Sequence, residues 1–163
     1  PSAAVPLSVA LLLLPPQAGN PIDLGGRVVP ESVEIAYDAT RLLLADPDVD
    51  VLGHCTGRKI TGRGRPQSRF DADIVFAACA RFDTAVEINC RPERRDPPEE
   101  LTALALEWGC RVSIDTDAHA PGQLEWQAWG CGFAADMGID PERIINTYPA
   151  DELLGWTAAH PTA

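Results

Sequence analysis

Histidine is scarce in this chain. Only three occur in 163 residues, at His54, His119 and His160, so a histidine-rich metal tract is excluded. The five cysteines are odd in number and none forms a Cys-x-x-Cys pair. That spacing excludes a zinc finger and argues against a disulfide framework; free cysteine in apolar surroundings acts as a small hydrophobe. Basic residues are few as well, 13 against 24 acidic, for a net charge of −11. Such a balance speaks against indiscriminate binding to nucleic acid or to an anionic membrane, both of which need a positive face. No apolar run is long enough to span a bilayer. Residues 1–16 are apolar but end at Pro15-Pro16, and no Lys or Arg precedes Arg27, so a secretory signal is not indicated. The expectation is a cytoplasmic chain of one domain whose first residues form a stray strand or a tail. A complete (βα) barrel needs roughly 250 residues, with about 200 as a lower limit, so the length favours part of one or a smaller α/β layer.

What is present reads as alternating strands and helices. Pro15 to Gly26 is a Pro- and Gly-rich linker. A helix is expected from Pro30, with Val33, Ala36, Tyr37, Thr40 and Leu44 on one stripe. Apolar runs at 49–53, 85–89 and 111–116 read as strands. Helices are expected at 71–81, with Ile74, Val75, Ala78 and Phe82 inward, and after Asp96, which has the composition of an N-cap. The second of these carries Leu101, Leu104, Ala105 and Trp108 and stops at Gly109. Further helices near 123–136, 141–146 and 150–156 complete the chain, and the four tryptophans are expected to pack core or interface. Alternation with short connections predicts parallel strands joined by right-handed crossovers.

Two of the histidines follow strand runs directly. Val51-Leu52-Gly53 leads into His54, and Ile114-Asp115-Thr116 leads into Asp117 and His119. Imidazole and carboxylate at strand ends are ligand types for Zn²⁺, Mn²⁺ or Fe. They are equally what hydrogen-bonded polar residues at strand ends look like. Asp115, Asp117 and His119 share one strand face by alternation, as do Glu87 and Asn89. Glu87, Asn89 and Asp115 are candidates to orient metal ligands, against ordinary bonding to backbone. Arg58, Lys59, Arg63, Arg65 and Arg69 concentrate charge just after His54. Arg58 is the nearest candidate for phosphate, Arg91 a second; Arg94 and Arg95 are expected to pair with Asp96 or Glu99. Cys55 adjoins a candidate ligand, and a packing role is favoured for it over a nucleophilic one.

Three segments in order, Val51-Leu52-Gly53-His54-Cys55-Thr56-Gly57-Arg58, Ala85-Val86-Glu87-Ile88-Asn89 and Ile114-Asp115-Thr116-Asp117-Ala118-His119-Ala120-Pro121-Gly122, resemble the late motifs of the PHP (polymerase and histidinol phosphatase) family. Members include a domain of bacterial family X DNA polymerases. The third segment continues through Gln123-Leu124, and the likeness runs from about Asp46 to Trp156, including Asn146-Thr147-Tyr148-Pro149 and Glu152-Leu153-Leu154. It implies a distorted (βα)7 barrel holding up to three divalent ions, Zn, Mn or Fe, that hydrolyses phosphoesters with metal-activated water. By that resemblance His54, Asp117 and His119 match the last metal ligands. The substrate it implies is a phosphorylated small molecule or a nucleic-acid end. The family's early His-x-His motif has no counterpart before His54. The expectation is therefore an incomplete, C-terminal part of the barrel over 29–163, behind an unmatched segment 1–28, with weak or no activity alone. Beginning at Pro1 fits a fragment, a processed chain or an incomplete gene model. Other readings are a non-catalytic remnant serving as an interaction module, or an amidohydrolase-like metal hydrolase. An open sheet edge inviting self-association is also expected.

Overall fold

The computed structural model describes residues 9–11, 46 and 48–159. The helix expected from Pro30 lies outside the described residues. Strand β1 (Val9–Leu11) is followed by β2 (Val51–Gly53), helix α1 (Ala72–Phe82), β3 (Ala85–Asn89), α2 (Glu99–Glu107) and β4 (Val112–Asp115). A 3-10 turn (Pro121–Trp126) then leads into α3 (Gln127–Asp136), and two further 3-10 turns lead to α4 (Ala150–Thr157). The strands pair in parallel in the order β1-β2-β3-β4. This is an α/β fold with a parallel sheet, as the alternation predicts. No described helix is long and apolar enough to cross a membrane.

The two faces of the sheet differ, and the difference creates the site. Leu52 and Val86 point to one face and pack with Val75, Phe76, Cys79 and Phe82 of α1 and with Ala105 of α2. Ile88 and Ile114 continue that face under α3, against Cys90, Ala134 and Ile144. Each large side chain buried here contributes about 1.5–3 kcal/mol. The opposite face begins apolar, with Val51 and Ala85 against Ile145 and Trp156. Toward the strands' C-terminal ends it turns polar. Glu87 stands beside Ser113 and Asn89 beside Asp115 in register, with Glu87, Asn89 and Ser113 buried.

Several expectations are corrected. The buried residues of α1 are Val75, Phe76, Cys79 and Phe82, with Ala78 packed beside them, while Ile74 is exposed. Asp96 does not cap α2. The N-cap is Pro98, which offers no side chain to the helix, and the Asp96 carboxylate turns back toward Thr56. Trp108 is exposed at the end of α2, with its indole N–H donating to Asp73 at 3.1 Å. The outer edge of β4 is partly covered. Ile144 bridges Val112 in parallel. The Asn146 amide accepts from Ile114 N at 2.6 Å and donates to Ile114 O at 3.1 Å, as a neighbouring strand does.

Candidate functional site

The C-terminal ends of β2, β3 and β4 surround a cleft of about 350 Å³, lined by His54, Lys59, Arg91, Glu93, Arg94, Asp117 and His119. The structure thus brings His54, Asp117, His119 and Arg91 to one place. Their backbone is held in unusual shapes. Among the described residues, His54 and Asp117 are two of four non-glycine residues with positive φ, at 28° and 52°. L-residues avoid this region, and such conformations gather at functional sites. In Asp117 the kink also ends the strand alternation. Asp115 therefore does not share a face with Asp117 and His119: it accepts from Ser113 Oγ at 2.5 Å and is absent from the cleft lining. Burial pushes its carboxyl above the usual carboxylate range, opposed by that bond from Ser113.

Glu87 organises the His54 end. Its Oε2 accepts the backbone N–H of His54 and lies 3.1 Å from His54 Nδ1. Its Oε1 accepts from Asn89 Nδ2 at 3.2 Å, and Asn89 Oδ1 accepts from Arg91 N at 3.1 Å. At the other end His119 Nδ1 lies 2.7 Å from Asp117 O and 3.1 Å from Arg91 Nη1. Both imidazoles thus have Nδ1 against an oxygen, and Nε2 makes no hydrogen bond among the described residues. Metal-binding histidines are oriented in this way.

The carboxylate is differently placed. Asp117 Oδ2 accepts from Arg94 Nε at 3.3 Å and lies 3.7 Å from Arg91 Nη1. Among the described residues no three His, Cys, Asp or Glu side chains are grouped closely enough to hold an ion. The donors are of kinds that bind a divalent ion, but they are not grouped as a metal site, and Asp117 is matched by guanidinium.

The arginines are not where sequence proximity put them. Arg58 does not line the cleft. Its Nε donates to Arg94 O at 3.1 Å and its Nη2 to Arg95 O, which ties the loop after β2 to the loop after β3. Asp96 makes the same junction from below, accepting from Thr56 N at 3.2 Å, Thr56 Oγ1 at 2.7 Å and Arg58 N at 3.2 Å. Arg95 lies over the Trp129 ring, 5.1 Å from its centroid, and Arg94 pairs with Asp117 rather than Asp96 or Glu99. Sequence reasoning missed Glu93 and Arg94 as lining residues, and it singled out Lys59 only as a member of the basic run that begins at Arg58. Cys55 is buried, and burial first, then Asp96 and Glu87, push its thiol well above the ordinary value, which suits packing.

No family model matches the chain. Over 103 residues it is 32% identical to the DNA polymerase/3'-5' exonuclease PolX of Bacillus subtilis (strain 168), a stretch that is 63% of this chain and 18% of that protein. The chain thus spans less than a fifth of the curated relative it matches. Over the matched stretch it is similar to a PolX protein.

Proposed function

We propose that this chain carries the late part of a PHP-type metal-dependent phosphoesterase, with His54, Asp117 and His119 as metal ligands and a phosphate ester as substrate. The observation that supports it best is the meeting of these three residues in one cleft at the ends of parallel strands, both histidines bonded through Nδ1. The partial similarity to PolX agrees with it. In this reading the sheet belongs to a (βα)7 barrel, and its polar face, with Glu87, Asn89 and Ser113, is the barrel interior. A divalent ion, Zn, Mn or Fe, would polarise the phosphoryl group and make water acidic enough to attack at neutral pH. The chain's own residues supply the rest. Glu87 fixes the ring of His54, Asp117 O fixes the ring of His119, and Arg91 faces the phosphate.

A second reading, a non-catalytic module of the same origin, is favoured by one observation: Asp117 is already matched by two guanidiniums. Hydrolysis of a phosphomonoester with added Mn²⁺ or Zn²⁺ separates the two. The isolated chain should turn over weakly or not at all. Activity should appear when a segment bearing the family's early His-x-His motif is supplied, and His119→Ala should abolish it. Robust turnover that survives His119→Ala contradicts the ligand assignment, and none in the completed protein favours the module.

A further inference from the structure

The cleft's charge is opposite to that of the molecule. Lys59, Arg91 and Arg94 face it against Glu93 and Asp117, three formal positive charges to two negative, in a chain of net charge −11. Glu93 is already matched, its Oε2 3.2 Å from Arg91 Nε. Arg94 carries a second anomaly. Its Nη1 is buried with no hydrogen-bond partner among the described residues, although its Nε is bonded to Asp117. Buried donors are nearly always satisfied, and one left over marks a place where an acceptor is missing. A guanidinium has donors only, so what Nη1 lacks is an acceptor, and in a cleft with a surplus of cations an oxyanion can supply it.

The cations are also held ready. Arg91 lies over the Trp126 ring, 5.8 Å from its centroid, with Nε on Glu93. The 91–95 loop that carries Arg91 and Arg94 is pinned from the β2 side by Arg58 on Arg94 O and Arg95 O, and by Ile60 N donating to Glu93 O at 2.8 Å. The backbone of Lys59 is paired with Arg65, at 2.9 and 2.8 Å, while its side chain is exposed. Preorganised cations lose little freedom when a ligand arrives.

We propose that Arg94, with Arg91 and Lys59, forms an anion subsite that takes a phosphate-type oxyanion without any divalent ion. A doubly charged tetrahedral anion matches a forked guanidinium, which can donate through two N–H groups, and gives Arg94 Nη1 its acceptor after a small shift of the side chain. Asp117 keeps a share of Arg94, so the anion sits beyond the guanidinium rather than against the carboxylate. Arg58, close in sequence, acts by positioning the loop. The subsite shares its cleft with the function proposed above but does not depend on a metal there, so each can fail alone.

The test is calorimetric titration of the full chain with inorganic phosphate in EDTA. Phosphate should bind, and chloride at equal ionic strength should not displace it. Arg94→Gln should weaken binding by about tenfold or more, the loss of a charge-assisted pair. Lys59→Gln, an exposed position that carries no structural bond through its side chain, should weaken it by about threefold. Arg81→Gln, the same charge change on exposed α1 surface, should leave it unaltered. No phosphate binding in EDTA, or an equal loss in Arg81→Gln, overturns the subsite. If phosphate fails to bind while Mn²⁺ binds through His119, the subsite falls and the metal site stands. Phosphate binding with no Mn²⁺ binding upholds the subsite and removes the metal site.

Discussion

At the scale of single residues, the molecule depends on buried polar groups that face one another across loops. Asp96 is fully buried and accepts three hydrogen bonds from Thr56 and Arg58. Asp96→Ala strands those donors, and each buried donor left without a partner costs about 1–3 kcal/mol. The variant should lose about 3 kcal/mol in urea unfolding, with faster hydrogen exchange at Thr56 and Arg58. A loss below about 1 kcal/mol contradicts this reading of Asp96. Cys90 makes a separate prediction about pH. Burial pushes its thiol up to about 12 from the usual 9.0. The folded state therefore keeps a proton that the unfolded chain releases sooner, so stability is full below pH 9 and falls as pH rises toward 12. Urea midpoints across this range should decline less steeply in Cys90→Ala than in the wild type. Identical slopes contradict the shift.

At the scale of elements, α3 approaches the sheet closely at Gly130. A Cβ at Gly130 would meet Cys90 Sγ at 2.4 Å and Ile114 Cγ2 at 2.6 Å. Alanine is the better helix former by about 1 kcal/mol, yet overpacking a tight core costs typically about 1–3 kcal/mol. Packing wins here, because both obstructing atoms belong to buried side chains on β4 and just past β3. Gly130→Ala should lower stability by about 1–2 kcal/mol in urea unfolding, and a more stable variant contradicts the packing. The elements were largely legible from periodicity. The strand at Ala85–Asn89 and the parallel order follow from short apolar runs between helices. What was not legible is phase and edge. Packing against Leu52 and Val86 decided which residues of α1 turn inward, and only the folded chain brings Asn146 against β4.

At the scale of the whole molecule, the candidate cleft was half legible. His54, Asp117 and His119 could be singled out because the few histidines fall directly after strands, and Glu87 because it alternates onto the face beneath them. The arginines could not. Arg58 is near His54 in sequence, but its guanidinium reaches the carbonyls of Arg94 and Arg95, whereas Arg94, far along the chain, reaches Asp117. Distance along the chain misleads where a loop folds back, and the positive φ at Asp117 broke the alternation that had grouped Asp115 with it. The central claim is that His54, Asp117 and His119 bind a divalent ion, and it is tested most directly by titrating the full chain with Mn²⁺ and counting bound ions by electron paramagnetic resonance. One ion per chain is expected, with affinity reduced by about tenfold or more in His54→Ala and in His119→Ala, since each removes a ligand. Absence of Mn²⁺ binding, or binding that neither substitution weakens, contradicts the account.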